Sequence, residues 1–175
     1  MLITISGPIG SGKSTVGKIV ADKLGYEFFS GGSIFRLAAS QHGMTVEEYN
    51  VYSENHPEVD INQDNMLRDY MSIHDRVVVE SRLAGWICLS NGIPSFRVYL
   101  TAPIEVRIKR VMEREGDGDG VRERILIRES SEIKRYSKLY GVDYTDPSLY
   151  NMVIDTADLN PKEVADRIVS KFAEY

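Results

Sequence analysis

The chain has 175 residues, 42% of them hydrophobic and 27% charged, with a formal net charge of −5. That length suits one domain with a full core. The acidic balance argues against a broad nucleic-acid surface, which shows as a basic total or stripe. No stretch approaches the roughly 20 apolar residues of a membrane span, and the opening "MLITISGPIG" has neither the basic region nor the cleavage site of a signal peptide. Cys88 is the single cysteine, so no internal disulfide is possible and the thiol reads as buried and inert. A monomer in a reducing cytoplasm is expected.

In chain order, "LITIS" (2–6) reads as a short apolar strand, followed by a glycine-rich loop and a helix to about Leu24 that Gly25 stops. "YEFF" (26–29) is a second strand, and a helix over 33–42 ends at Gly43. Thr45 with Glu48 forms a capping box that opens another helix, and residues 57–73 are helical after Pro57. "RVVVE" (76–80) is strand three, and "FRVYLT" (96–101) is strand four. A helix from Pro103 to about Glu115, the break "GDGDG" (116–120) and a helix to Tyr140 follow. "NMVID" (151–155) is strand five, and Asn160, Pro161 and Glu163 open the last helix. Strands alternating with helices predict an α/β, three-layer fold: a five-stranded parallel sheet with helices on both faces. Residues 44–74 and about 114–136 read as mobile inserts in a single domain.

The strongest motif is "GPIGSGKST": Gly7, Pro8, Ile9, Gly10, Ser11, Gly12, Lys13, Ser14 and Thr15. It fits G-x-x-x-x-G-K-[ST] in a strand–loop–helix context. Glycines let backbone N–H groups wrap phosphate oxygens, and the following helix turns its positive end to the same anion. Lys13 is expected to bridge the terminal phosphates and Ser14 to ligate Mg2+, with ATP as the nucleotide. No Asn-Lys-x-Asp guanine motif is present, and "FSGGS" (29–33) lies too near the loop to be an ABC signature. Small phosphotransferases remain.

Such enzymes must hold two anions against each other, which takes fixed cations. Ten of the 21 lysines and arginines lie between Arg107 and Lys138. Arg107, Arg110 and Arg114 share one helical face, Arg128 and Arg135 another, and the spacing predicts that Glu132 pairs with both of the latter. Arg36 follows strand two, and Arg82 follows strand three. Both fall at the carboxyl rim, where open parallel sheets bind ligands. Arg82 is expected to face the acceptor anion, and Glu80 to orient magnesium-bound water or the acceptor. The histidines His42, His56 and His74 have no metal spacing, and Tyr136 and Tyr140 read as packing residues.

Together, "GPIGSGKST", "SGGSIFR" (30–36), "GMTVEEYN" (43–50), "VVVESRLAGW" (77–86) and "RESSEIKRY" ahead of "YGVDYTD" (128–146) resemble the nucleoside monophosphate kinases. The resemblance is greatest to the short archaeal cytidylate kinases and covers almost the whole chain. It implies a P-loop NTPase fold with a monophosphate-binding region at about 30–74 and a lid at about 114–136. It implies transfer of the γ-phosphate of ATP to CMP or dCMP, with Mg2+. By resemblance, Arg36 and Arg82 bind the monophosphate, Arg128 and Arg135 are lid arginines near the transferring phosphate, and Arg107 or Arg110 packs on adenine or holds phosphate. Ser33 and Asp60 are candidates for reading cytosine. The chain departs from the bacterial Asp-Gly-Arg-Asp pattern in reading Glu80-Ser81-Arg82-Leu83. The alternatives are a kinase for another monophosphate, a shikimate-like small-molecule kinase, or a nucleotide-binding switch that needs no acceptor.

Overall fold

A computed structural model describes residues 1–116, 118 and 120–175. Among these, five parallel strands are ordered β2-β3-β1-β4-β5: β1 (Leu2–Ser6), β2 (Glu27–Ser30), β3 (Val77–Glu80), β4 (Ser95–Thr101) and β5 (Met152–Asp155). The helices are α1 (Lys13–Leu24), α2 (Gly31–Gln41), α3 (Val46–Ser53), α4 (Pro57–Ile73), α5 (Ala84–Ser90), α6 (Ile104–Glu115), α7 (Val121–Tyr140) and α8 (Pro161–Ala173).

Strand alternation builds two cores. Leu2, Val77, Val79 and Tyr99 turn to one face of the sheet, where Leu67 and Met71 of α4 and Ile87 and Cys88 of α5 cover them. Ile3, Ile5, Val78, Val98 and Leu100 turn to the other, against Val16 and Val20 of α1 and Val164 and Ile168 of α8. Each fully buried valine of β3 contributes about 1.5–3 kcal/mol over an exposed one. A third cluster joins Ile9 to Val111 of α6 and to Val121 and Ile125 of α7. It lays the arginine-rich helix pair over the glycine loop.

The expected capping boxes are present at Thr45–Glu48 and Asn160–Glu163. Some local readings shift. Strand two runs one residue later, to Ser30, and the following helix starts at Gly31 because the Ser30 side chain caps it, accepting from the Ser33 N–H at 3.2 Å. The helix α5 has no counterpart among the sequence-predicted elements. Two turns long, with no side-chain cap, it is held by packing: Gly85 lies so close to Tyr150 that a Cβ there would fall 2.8 Å from the ring. The predicted break at 116–120 separates α6 from α7, and Asp117 and Asp119 within it lie outside the described residues. Cys88 is fully buried, and burial pushes its thiol up to about 11, as expected of an inert cysteine. No helix among the described residues is long and apolar enough to cross a membrane.

Candidate active site

Strand register gathers the site. Ile5 and Ser30 both pair with Glu80, so the ends of β1, β2 and β3 meet at one rim. The loop after β1 turns through positive φ at Gly7, Gly10 and Gly12. Glycine is required by contact as well as by φ: a Cβ on Gly7 would lie 2.1 Å from the Leu100 carbonyl oxygen, and one on Gly10 would lie 2.6 Å from that of Arg107. Helix α1 begins at Lys13 with no side-chain cap, which leaves its first N–H groups to the loop concavity. Lys13 is buried, and its Nζ donates to the Pro8 carbonyl at 2.8 Å. Burial and then the neighbouring Arg82 push its ammonium well below the usual lysine range, against the pull of Glu80 and Glu132. An anion in the loop would restore that charge.

Glu80 is buried at the end of β3 and accepts from Ser30 Oγ at 2.6 Å and from Ser14 Oγ at 3.3 Å. A serine hydroxyl and a carboxylate converging beside a phosphate loop form the all-oxygen set that suits a hard cation such as Mg2+, which takes few protein ligands and completes its shell with phosphates and water. The residues present therefore fit that ion.

The cleft beside the loop is lined by six cationic side chains, Lys13, Arg36, Arg82, Arg114, Arg128 and Arg135, against the carboxylates Glu80 and Glu132. An acidic protein has concentrated positive charge in one concavity. The six are not equivalent. Arg82 donates from Nε to Glu132 at 2.7 Å and from Nη1 to the Gly7 carbonyl at 3.1 Å. Burial opposes its charge, and Glu132, Tyr144 and Glu80 together more than offset that. Arg36 is exposed and donates to Ser33 Oγ at 3.0 Å, with no carboxylate in ion-pair range among the described residues. Among the described residues, Arg128 has a buried Nε with no hydrogen-bond partner, and the carboxylate in ion-pair range is Glu47 at 3.8 Å. Burial pulls its charge down, and Glu132 opposes that. Arg135, in contrast, is saturated. It donates to Asp60 at 2.7 Å, to Asn50 Oδ1 at 3.0 Å and to Ser131 Oγ at 2.7 Å.

The expected pairing of Glu132 with Arg128 and Arg135 is corrected by this geometry. Glu132 is ion-paired to Arg82, while Arg135 pairs with Asp60 and Arg128 faces Glu47. The reason is burial. A helix-surface pair is worth about 0.2–0.5 kcal/mol, whereas a buried guanidinium needs a fixed partner; α3 and α4 supply those of Arg128 and Arg135, and Arg82, just after β3, takes Glu132. Burial pushes the Glu132 carboxyl up, and Arg82, with smaller help from Arg128 and Arg135, brings it below the usual range.

Of the other predicted residues, Arg107 lies beneath the loop, donating to the Ile9 and Ala102 carbonyls at 3.0 Å and paired to Glu129. Arg110 lines a second cleft on the far side of the loop with Thr15, Val16, Leu159 and Pro161. Two bonds to Thr156, at 2.8 and 2.6 Å, hold its guanidinium. Ser33 supports Arg36, and Asp60 is occupied by Arg135. Sequence reasoning gave no role to Arg114, which lines both clefts. Its signal was the stripe it forms with Arg107 and Arg110. Phe35, Val46 and Gln63 also line the first cleft and carried no signal beyond ordinary amphipathic spacing.

Helix α7 is stitched to the 30–74 region. Besides Arg135, Lys134 pairs with Glu54 at 2.5 Å, and Tyr140 donates to Asp64 at 2.8 Å. Burial raises the Asp64 carboxyl to about 7. Below about pH 4 it is protonated in folded and unfolded chains alike. From there to about 7 the unfolded chain ionises first, so stability falls with rising pH and then levels. Asp64→Asn should therefore raise Tm at pH 8 and leave no such gain at pH 4, a difference that thermal melts at the two pH values would read.

The fold and the site together define a P-loop phosphotransferase of the small-molecule kinase type. The fold is shared with a gluconokinase from Sinorhizobium meliloti (TM-score 0.68, 16% identity, covering 98% of this chain and 91% of that one). It is shared also with a shikimate kinase from Acinetobacter baumannii (TM-score 0.63, 18% identity, covering 99% and 93%). More narrowly, the chain belongs to the cytidylate kinase-like family, whose model matches residues 2–158. It is 44% identical to a cytidylate kinase from Thermoplasma volcanium over 175 residues, 99% of this chain and 92% of that protein. It is 40% identical to one from Halobacterium salinarum over 176 residues, 100% and 91%.

Proposed function

We propose that this enzyme transfers the γ-phosphate of ATP to CMP and dCMP, giving ADP and CDP or dCDP. The observation that carries this reading is the pairing of two anion sites on one rim: the glycine loop with Lys13, and the cluster of Arg36, Arg82 and Arg128 facing it. Family membership names the acceptor.

The loop N–H groups hold the β- and γ-phosphates, and Lys13 neutralises charge as the bond to the γ-phosphorus changes hands. Arg36 binds the acceptor phosphate. Arg82, fixed by Glu132 and the Gly7 carbonyl, aligns that phosphate with the loop. Arg128 brings its unpartnered Nε to the transferring group, and Arg114, between the clefts, joins it. Arg135 acts from behind, docking the lid helix on the acceptor region. Ser14 and Glu80 would hold Mg2+, which would supply positive charge against that of the phosphates. Adenine rests in the second cleft against Arg110. Residues 114–136 act as a lid that excludes water, which would otherwise accept the phosphate. The enzyme works as a cytoplasmic monomer.

The test is ADP production from ATP and magnesium with CMP, dCMP, UMP, AMP, GMP and shikimate offered separately. CMP and dCMP should lead. Preference for another acceptor would overturn the base assignment, and indifference to all would overturn the acceptor site. Arg36→Ala removes a charge-assisted contact to the acceptor worth about 1.5–3 kcal/mol. The KM for CMP should rise on the order of 10- to 100-fold, with a smaller change in kcat; steady-state kinetics with varied CMP would show it. An unchanged KM would place the acceptor phosphate elsewhere.

A further inference from the structure

The structure assigns base recognition to Gln63: we propose that its side-chain amide, tethered to a backbone carbonyl, reads a 4-aminopyrimidine. This rests on the monophosphate-kinase reading above and names the residue that gives it its base preference.

Besides the cations Arg36, Arg82 and Arg128, the cleft is lined by Phe35, Val46 and Tyr136, side chains that can pack on a flat ring. Gln63 of α4 also lines the cleft. Its amide offers a donor and an acceptor side by side in one plane, which a pyrimidine edge requires. The two residues first expected to read the base are engaged elsewhere. Asp60, one turn earlier on α4, holds Arg135 at 2.7 Å, and Ser33 Oγ accepts from Arg36.

The orientation of the amide is the decisive feature. Gln63 Nε2 donates to the Gly31 carbonyl in a long bond of 3.5 Å. Turned over, the amide would set Oε1 against that carbonyl, two acceptors with no proton between them. Gly31 itself is held in place. It is buried at the start of α2, and a Cβ there would meet Ser81 at 3.1 Å and Leu67 at 3.3 Å. With the Nε2 hydrogen anti to Oε1 turned to the backbone, the other hydrogen and Oε1 form the free edge of the amide.

That free edge reads acceptor, then donor. The edge of a 4-aminopyrimidine reads donor (the amino group), then acceptor (the ring nitrogen), and the two match. A 4-oxopyrimidine reads acceptor, then donor, and meets the tethered amide oxygen to oxygen and proton to proton. A glutamine free to turn over would accept both bases. The discrimination therefore comes from the tether to Gly31 as much as from the residue type.

The test compares kcat/KM for CMP and for the monophosphate of the pyrimidin-2-one riboside, the same ring without its amino group. Both are measured on the wild-type enzyme, on Gln63→Leu and on Gln63→Met. A ratio taken within one enzyme does not depend on how much of it is folded, and two apolar replacements guard against one that fails. Leaving a buried polar group unpaired costs about 1–3 kcal/mol, roughly 5- to 150-fold. The wild type should prefer CMP by a factor in that range, and both variants should bring the ratio to within about threefold of unity. An enzyme stimulated by CMP whose ratio survives both substitutions overturns the role of Gln63 and leaves the kinase reading intact. A wild type unmoved by either acceptor overturns the kinase reading itself.

Discussion

Replacing Lys13 by alanine should lower kcat on the order of 10²- to 10³-fold and leave the protein folded. Phosphoryl transfer asks for charge stabilisation rather than covalent help, and losing one preorganised donor from such a site costs about 2.7–4 kcal/mol of transition-state stabilisation. The stability side follows from where Lys13 lies. Its ammonium is buried beside Arg82 and bonded to a single carbonyl. Burial disfavours that charge, which on the proposed reading a substrate phosphate would compensate. Its removal should leave Tm unchanged or slightly raised, the trade of stability for function seen at preorganised sites. Rate loss with an unchanged melt separates this role from a structural one; a large fall in Tm with the rate loss would contradict it.

Asp60→Ala is expected to give the opposite result, a fall in stability of about 3–5 kcal/mol, because it leaves the Arg135 guanidinium buried without its counter-ion. For a chain of this size that lowers Tm on the order of 10 °C. Arg135 is only 4% exposed and joins α7 to both α3 and α4, so the loss should also loosen α7 from those helices. The double variant Asp60→Leu/Arg135→Met removes both charges together and should recover part of the loss, since apolar replacements of a buried pair are often neutral. Asn50 and Ser131, which also bond Arg135, limit that recovery. Thermal melts of the single and double variants decide the matter: a double variant no better than Asp60→Ala would mean that packing, not charge, accounts for the cost.

What the sequence made legible was whatever depends on local geometry. The glycine loop demands fixed spacing because Gly7 and Gly10 face carbonyl oxygens that exclude a Cβ. The valines of β3 are buried on both sides, so they read as a continuous apolar run. The carboxyl rim placed Arg36, Glu80 and Arg82 together because a parallel sheet brings its strand ends to one edge. What stayed hidden depends on contacts between distant segments. Glu132 lies at helical spacing from Arg128 and Arg135, yet its partner is Arg82, 50 residues away. Asp60, a candidate for reading cytosine in the sequence, is instead paired with Arg135, 75 residues away. Helix α5 is too short to show a period, and Gln63 looks like any polar residue of α4 until its bond to Gly31 is seen.

If the two anion sites work on one phosphoryl group, the label of γ-radiolabelled ATP, followed with magnesium in the presence and absence of CMP, should enter CDP in step with ADP, and little should appear as free phosphate when CMP is absent. Label released as free phosphate at a rate indifferent to CMP would contradict it, and would mean that the arginine cluster opposite the loop serves something other than an acceptor.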